Sequence, residues 1–275
     1  MKIFDCITYC GEDLLLKIRF ETLYNKVDKF IIVEANKYFN GAEKPKFFNY
    51  KLFEKYSNKI EYYYIEDLPK YNGNNLEYEV FIKNQIIRGL KNLNEEDIIL
   101  ISDADEIPNL QNEKFKNFDS TVFLQKMYYY KFNINVTDGL KFGNKIACTK
   151  SCKFKFFNSF KQVREFRVKN IPWWRLDQKI KRHVEIDGGW HFSFLMNIDE
   201  IKSKLSRFEH EIKHLKNNKN YKVENLMNIK KIEQNIINLK DPYERDHVKL
   251  KKVEIDKSFP EYIFHNKEKL KEFII

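Results

Sequence analysis

The residues with the clearest chemical potential form one acidic segment, Ser102-Asp103-Ala104-Asp105-Glu106-Ile107-Pro108. It directly follows an apolar run, 97–102, that predicts a buried β-strand. Side chains two residues apart in a strand point to the same side, so we expect Asp103 and Asp105 to face one site. Two carboxylates there are costly unless a cation satisfies them. Mg²⁺ or Mn²⁺ suits such a pair. The alternative is a helix N-terminus, which acidic residues also favour.

A second candidate is His191, in the segment Gly188-Gly189-Trp190-His191-Phe192-Ser193. Adjacent glycines let the backbone approach a ligand closely. A neutral imidazole beside carboxylates favours Mn²⁺ over Mg²⁺. A histidine among aromatic residues is also commonly a core residue, and both interpretations stay open at this point.

The elements that must position these residues alternate between strand and helix over the first hundred residues. We predict strands at 3–9, 28–34, 60–65 and 97–102, and helices at 12–24, near 50–56 and at 76–92. This alternation implies right-handed crossovers and an α/β fold with a mostly parallel, Rossmann-type sheet. Such sheets bind ligands beyond the carboxyl ends of their strands, where Asp103 is expected.

In the rest of the chain the predicted strands and helices no longer alternate. We predict strands at 121–132, 145–149 and 153–157, then helices at 198–210, 221–239 and near 266–273. No linker rich in Gly, Ser or Pro marks a boundary. The prediction is therefore one domain, 1–275, with a nucleotide-binding half (1–108) and an acceptor half with C-terminal helices (109–275).

Composition narrows the class of protein. An apolar fraction of 43% is enough for a sizeable core, so disorder is excluded as the default. The net charge of +10 suits an anionic partner such as nucleic acid, a membrane face or a phosphorylated small molecule. An ordinary lysine-rich surface explains the charge equally well. No run reaches the ~18 apolar residues of a membrane span, and the first residues do not form a signal peptide.

The four cysteines form two pairs of the same spacing, Cys6/Cys10 and Cys148/Cys152. Zinc sites usually have a shorter spacing between paired cysteines, and both pairs lie in apolar, strand-like sequence. We therefore predict free, buried thiols and a reducing, cytoplasmic setting.

Several segments occur here in an order that resembles glycosyltransferase family 17. They are Asp5-Cys6 with Glu12-Asp13-Leu14, then 27–36, 102–108 and Gly189-Trp190-His191-Phe192-Ser193. The resemblance extends to the tail at 267–273. The family includes the β-1,4-mannosyl-glycoprotein β-1,4-N-acetylglucosaminyltransferases, which add bisecting GlcNAc.

The resemblance implies a GT-A-like fold, an inverting mechanism and a UDP-sugar donor, UDP-GlcNAc, used with Mn²⁺ or Mg²⁺. Animal members carry a Golgi membrane anchor and we expect none here. The acceptor is therefore expected to be a glycan or glycoconjugate, without assuming an N-glycan. We expect no nucleic-acid partner and no transmembrane segment, while peripheral membrane contact stays open.

The resemblance also implies roles for single residues. Asp105 would bind the metal that bridges the diphosphate, Asp103 would contact the ribose or a metal-bound water, and His191 would complete the metal site. Four further residues are candidates for contacting the nucleotide sugar. For Glu34 the alternative is a solvated acid at the end of a strand, and for the other three it is an ordinary surface role. These candidates are Glu34, Lys46, Asn84 and Arg88, the last two being one helical turn apart.

Inversion requires a general base for the acceptor hydroxyl, and the sequence does not single one out. The candidates are Glu106, Glu209 and Glu211, while Asp187 reads equally well as a turn residue. Aromatic clusters at 128–130 and 173–174 would suit a sugar groove, with core packing favoured for the first.

Three other functions compete with a sugar transferase. A haloacid-dehalogenase-like phosphatase also uses two aspartates after a strand, but it requires Thr or Val where this chain has Ile107. A metal-dependent nucleotidyltransferase would also bind a metal ion through such carboxylates. A non-enzymatic, basic glycan- or RNA-binding module fits the charge and the aromatic residues, but it leaves Asp103, Asp105 and His191 unexplained.

Overall fold

The computed structural model describes residues 1–164, 180–207, 224 and 226–275. The chain divides into two compact units, each built from two separate segments. The first unit comprises Met1–Gln125 and Ala147–Gly189, and the second comprises Lys126–Ile146 and Trp190–Ile275. The single-domain count and its division at residue 108 stay predictions.

The regular elements of the described residues are numbered along the chain. The strands are β1 (Ile3–Thr8), β2 (Lys29–Ala35), β3 (Ile60–Ile65), β4 (Ile98–Asp103), β5 (Glu106–Pro108), β6 (Ser120–Tyr129), β7 (Ile134–Asp138), β8 (Lys145–Lys153), β9 (Arg182–Glu185), β10 (Gly189–Ser193) and β11 (Lys249–Lys252). The α-helices are α1 (Asp13–Leu23), α2 (Asn75–Asn84), α3 (Phe160–Arg164), α4 (Ile198–Arg207), α5 (Ile229–Ile237) and α6 (Glu261–His265). The 3₁₀ helices are Tyr50–Lys59, Gln85–Gly89, Glu113–Asn117, Phe154–Phe156 and Lys271–Phe273.

The first unit is built on a sheet of strand order β8-β4-β1-β2-β3. Strand β1 pairs in parallel with both β2 and β4, and β2 pairs in parallel with β3. Only β8 of these five strands is antiparallel, against β4. The mixed α/β class and the four parallel strands confirm the sequence-based prediction. In the same unit the first residues of β6 pair with β9.

The core of the first unit lies between this sheet and α1. Helix α1 buries one stripe of apolar side chains, including Leu16, Phe20 and Leu23, against Phe30 and Ile32 of β2. Strand β2 is buried along nearly its whole length, as expected for a parallel strand covered on both faces. Burial therefore explains why its sequence is a continuous apolar run.

In the second unit, the last residues of β6 lie between β10 and β7, and β7 pairs with β11. The core of this unit contains side chains of α4 and α5, such as Ile201 and Ile232, packed with Tyr129 and Tyr130. Tyr128 is also buried. The core interpretation of the aromatic cluster at 128–130 is confirmed.

Several predicted helix bounds are wrong. Helix α2 ends at Asn84 because the amide of Gln85 bonds to the carbonyl of Ile82, which tightens the chain into a 3₁₀ helix. Of the helix predicted at 221–239, residues 221–223 and 225 lie outside the described residues. The described helix α5 begins at Ile229, where the Asn228 side chain caps the amide of Lys231. The helix predicted near 266–273 is instead α6 followed by a 3₁₀ turn, because Pro260 starts the helix earlier.

Two further predictions need comment. The strand predicted at 153–157 is wrong: β8 runs on from Lys145 to Lys153, and Phe154–Phe156 is a 3₁₀ turn. Helix α4 confirms the start of the helix predicted at 198–210, whose last residues lie outside the described residues. Among the residues described, no helix combines the length and apolar character that crossing a membrane requires.

Candidate functional site

The acidic segment forms a tight turn at the carboxyl end of β4. The strand ends at Asp103, Ala104 and Asp105 make the turn, and Glu106 starts β5. The amide of Asp103 donates to the Glu106 carboxylate at 3.1 Å. Asp103 and Asp105 therefore do not belong to one extended strand, and the argument that places them on the same side is wrong. The helix N-terminus alternative is also wrong, because a strand follows.

A cavity of about 150 Å³ lies against this turn, wholly within the first unit. Both Asp103 and Glu106 face it, whereas Asp105 is not among the described residues that line it. The polar lining residues are Lys83, Ser102, Asp103, Glu106, Cys148 and Lys150. The structure thus pairs Asp103 with Glu106, and it adds basic groups that the sequence did not indicate.

Asp103 is held by two groups from neighbouring elements. The ammonium of Lys83, on α2, lies 2.6 Å from Asp103 Oδ1, and the Thr8 hydroxyl at the end of β1 donates to the same oxygen at 3.0 Å. Lys83 is almost fully buried, pairs also with Glu79 at 2.8 Å, and lies over the ring of Phe39. The cavity therefore carries both signs of charge, which suits an anionic ligand bound together with a cation.

The thiol of Cys148, on β8, contributes the remaining wall beside Glu106. Its sulfur lies within 4.8 Å of a Glu106 carboxylate oxygen. Burial raises the pKa of Cys148 well above its usual value, and the negative charges of Glu106 and Asp105 and a hydrogen bond with Glu106 raise it further. The group is therefore a protonated thiol at neutral pH.

Ligands in the cavity are expected to protect Cys148 from thiol reagents. Methylthiolation at pH 8.5 should be slow because the pKa of Cys148 is raised. If the cavity binds the nucleotide sugar that the family resemblance implies, the adduct should abolish that binding because it fills part of the cavity. A nucleotide present during the reaction should slow modification by about tenfold or more at saturation. Mass spectrometry of digested protein measures this, with Cys148→Ser as the matched control. A nucleotide that binds without changing the rate at Cys148 would contradict this placement.

The paired glycines before His191 pack against the strand that follows the acidic turn. The amide of Asn109 donates to the carbonyl of Gly188 at 3.0 Å. Gly189 has a φ of +120°, and a Cβ added there would lie 2.2 Å from the carbonyl oxygen of Ile107. The glycines thus allow a close approach to another strand of the protein, and the approach to a ligand stays a prediction.

Gly189→Ala is expected to lower the free energy of unfolding by about 2–3 kcal/mol, since it adds a backbone clash to the strain of a positive φ. Urea denaturation measures the loss. Gly73→Ala is the matched control: Gly73 also has a positive φ of +88°, but nothing lies within 4 Å of an added Cβ. We expect about 1 kcal/mol there. Equal losses in the two variants would show that the close approach to Ile107 does not matter.

His191 itself lies in the second unit, on β10, paired with Met127 of β6. Its neighbours Trp190 and Phe192 are buried whereas His191 is only half-buried. His191 therefore does not occupy a fully buried core position. Its role as a metal ligand stays a prediction.

Glu34 is fully buried, so the solvated-acid alternative is wrong. One carboxylate oxygen accepts from Lys44 Nζ at 2.8 Å and from the amide of Phe47 at 2.7 Å. The other accepts from the amide of Phe48 at 3.0 Å and from the hydroxyl of Tyr62 at 2.8 Å. This geometry fixes the loop at 44–48 after β2, and a direct nucleotide contact stays a prediction without support from these bonds.

The other nucleotide candidates are separated from one another. Asn84 accepts from the amide of Phe160, and Arg88 binds the Asp67 carboxylate through two bonds of 2.7 and 2.6 Å. The chain changes from α to 3₁₀ winding between them, and the helix face predicted to hold both residues stays a prediction. Lys46 is exposed, with its ammonium over the Tyr62 and Tyr64 rings.

The remaining predictions fall differently. Glu209, Glu211, Trp173 and Trp174 lie outside the described residues. Asp187 lies in a turn and is exposed, which agrees with its turn interpretation. The four cysteines form no disulfide, as predicted for these described residues. Cys6 and Cys152 are buried as predicted, whereas Cys10 and Cys148 are only partly buried.

Sequence reasoning missed Lys83 and Arg19. Arg19 lies beneath the acidic turn with its side chain fully buried, paired with Asp5. One signal was available: Arg19 occupies the apolar stripe of α1 between Leu16 and Leu23, where a charge needs a buried partner.

Comparison with known proteins adds one finding. The model of a family described as Glycosyltransferase family 17 matches residues 1–271, which is nearly the whole chain. No curated protein matches the chain.

Proposed function

Because the chain belongs to glycosyltransferase family 17, and is thus a sugar transferase, we propose that it transfers N-acetylglucosamine from UDP-GlcNAc to a glycan acceptor with inversion. Family membership favours this over a phosphatase, a nucleotidyltransferase or a binding module. The observation that carries the proposal is the cavity at the carboxyl end of β4, lined by Asp103, Glu106 and Lys83. Ligands of parallel α/β sheets bind at this edge.

A GT-A-like fold is part of the proposal. Four parallel strands, β3, β2, β1 and β4, lead to an acidic turn, and the antiparallel β8 follows beside β4. This order supports a nucleotide-binding half whose last parallel strand presents the carboxylates. The cytoplasmic setting also belongs to the proposal and rests on the sequence alone.

A divalent metal fits the residues of the turn. The cavity offers carboxylate oxygens of Asp103 and Glu106, which are the donors Mg²⁺ and Mn²⁺ prefer. Cys148 also lines the cavity, but a thiol is a poorer ligand than a carboxylate for Mg²⁺ or Mn²⁺. We propose that Asp103 and Asp105 hold the ion, and His191 stays the further ligand that the sequence predicts. When bound, the metal supplies positive charge that stabilises the departing diphosphate.

The protein's own groups have distinct tasks in the reaction. Lys83 fixes the orientation of Asp103 and adds positive charge near the donor. Inversion is a single displacement in which the acceptor oxygen bonds to the anomeric carbon, the bond to UDP breaks, and a base takes the hydroxyl proton. Glu106 is the base candidate that faces the cavity, while Glu209 and Glu211 remain candidates from the sequence.

The first test is a thermal-shift panel of UDP, GDP, CDP and dTDP sugars, each with and without Mn²⁺. A ligand at a hundred times its Kd stabilises the folded protein by about 2.7 kcal/mol. For a chain of this size, that is a rise in melting temperature of roughly 5–10 °C. We expect this rise in melting temperature only when UDP-GlcNAc and Mn²⁺ are both present. A larger effect of another nucleotide, or none with Mn²⁺ present, would contradict the donor proposed.

A second measurement addresses inversion. The proton NMR spectrum of the product from an α-linked UDP-sugar should show a β anomer, because one displacement inverts the carbon. An α-linked product would contradict the displacement and the need for a single base.

A further inference from the structure

Arg19 makes every hydrogen bond that its guanidinium can donate. Nε and Nη2 bind the two oxygens of Asp5 at 2.7 and 2.6 Å, and Nη2 also donates to the Ser102 hydroxyl. Nη1 donates to the carbonyl of Asp103 at 3.2 Å and to the carbonyl of Glu106 at 2.7 Å. A guanidinium has five N–H groups, and all five are used.

The two Nη1 bonds connect the first and last residues of the acidic turn. They fix the spacing between the backbone of Asp103 and that of Glu106, whose side chains line the cavity. From β8, the Thr149 hydroxyl also donates to the Glu106 carbonyl, at 3.2 Å. The carbonyl groups of Asp103 and Glu106 are thus engaged from within the protein, while the side chains of the same two residues line the cavity.

We propose that Arg19 is a positioning residue for sugar transfer: it sets the distance between the Asp103 and Glu106 carboxylates through their own carbonyl groups. The inference rests on the proposed function, because it assumes that these carboxylates serve the donor. Asp5 completes the arrangement by neutralising Arg19 within the core, where both side chains are fully buried.

Only arginine has the geometry for this task. Its planar fork binds the Asp5 carboxylate with one edge and reaches two carbonyl groups and a hydroxyl with the rest. Lysine carries three donors on a single atom. It can keep the charge opposite Asp5, but it cannot span the turn as well.

The test compares Arg19→Lys with Thr149→Val and with a control, Asp97→Asn. Asp97 is a buried carboxylate just before β4 that accepts from the amides of Lys2 and Asn94 at 2.7 and 2.9 Å. It stabilises the same sheet but contacts no residue of the turn in the bonds described. For each variant, kcat and the donor KM are measured well below the melting temperature, with UDP affinity by calorimetry.

We expect Arg19→Lys to lower kcat by about a hundredfold, because small misplacements of reacting groups have effects of that order. Thr149→Val, which loses one of the bonds to the Glu106 carbonyl, should lower kcat by about fivefold. Asp97→Asn should lower the melting temperature and leave kcat within about twofold of wild type.

A folded Arg19→Lys protein with wild-type kcat and UDP affinity would overturn the inference while the proposed function stands. If that variant does not fold, Thr149→Val decides, and an unchanged kcat overturns the inference. Losses of kcat that follow melting temperature in all three variants also overturn it. A wild-type protein that neither binds UDP nor transfers sugar refutes the proposed function itself and, with it, the reaction for which Arg19 would position the turn.

Discussion

Asp103→Asn is expected to lower kcat on the order of a thousandfold with little change in melting temperature. The amide keeps the size of the carboxylate and an oxygen for Thr8 and Lys83, so the local structure should persist. What is lost is a negative charge at the turn where the proposed function places the cation and the donor. Removing one preorganised electrostatic group from an active site costs about a hundredfold to a thousandfold in kcat.

Steady-state kinetics and UDP calorimetry with Mn²⁺ measure the effect. The matched control is Asp28→Asn, which changes an aspartate at the amino end of β2 whose carboxylate accepts from the amide of Ile3. The control should retain wild-type kcat. An Asp103→Asn enzyme with more than about a tenth of wild-type kcat would place the donor site somewhere other than this turn.

The second large effect is on stability. Glu34→Ala should lower the free energy of unfolding by about 3–5 kcal/mol, because it leaves the ammonium of Lys44 buried without its carboxylate. The amides of Phe47 and Phe48 lose their acceptor in the same change. Denaturant unfolding with linear extrapolation gives the number.

A double variant separates charge burial from the loop contacts. Glu34→Ala with Lys44→Met removes both charges, and it should recover part of the loss because no unpaired charge remains. Glu34→Gln distinguishes the structural role from a nucleotide contact. If Glu34 served the nucleotide alone, this variant would weaken UDP binding at unchanged stability. A loss below about 1 kcal/mol in Glu34→Ala would contradict the structural role.

The parallel core of the first unit could be predicted from the sequence, because its strands are apolar runs and its helices have apolar stripes. The short strands could not. Lys249–Lys252 has four residues with no apolar alternation, and it is a strand because its backbone pairs with β7. Pairing energy of this kind comes from a distant segment and leaves no periodic pattern in the strand's own sequence.

The sequence predicted which types of residue form the candidate site, but it did not predict how they are arranged. The period of two that related Asp103 to Asp105 holds only inside a strand, and a hydrogen bond from the Asp103 amide to Glu106 ends the strand there. Lys83 reaches the site from helix α2, which lies about twenty residues before the acidic turn. The sequence around the turn therefore gives no sign of the contact. Arg19 could have been identified from the sequence, because it is a charged residue within an apolar stripe.

The division of the first unit into two chain segments bears on how the protein is made. During synthesis, β4 emerges long before β8, its antiparallel neighbour, whose residues paired with β4 lie in the segment Ala147–Gly189. Ribosomes add about 5–20 residues per second, so one edge of β4 waits several seconds for its partner. Unpaired edges of apolar strands promote aggregation. A nascent chain stalled after Gln125 is therefore the form most in need of a chaperone.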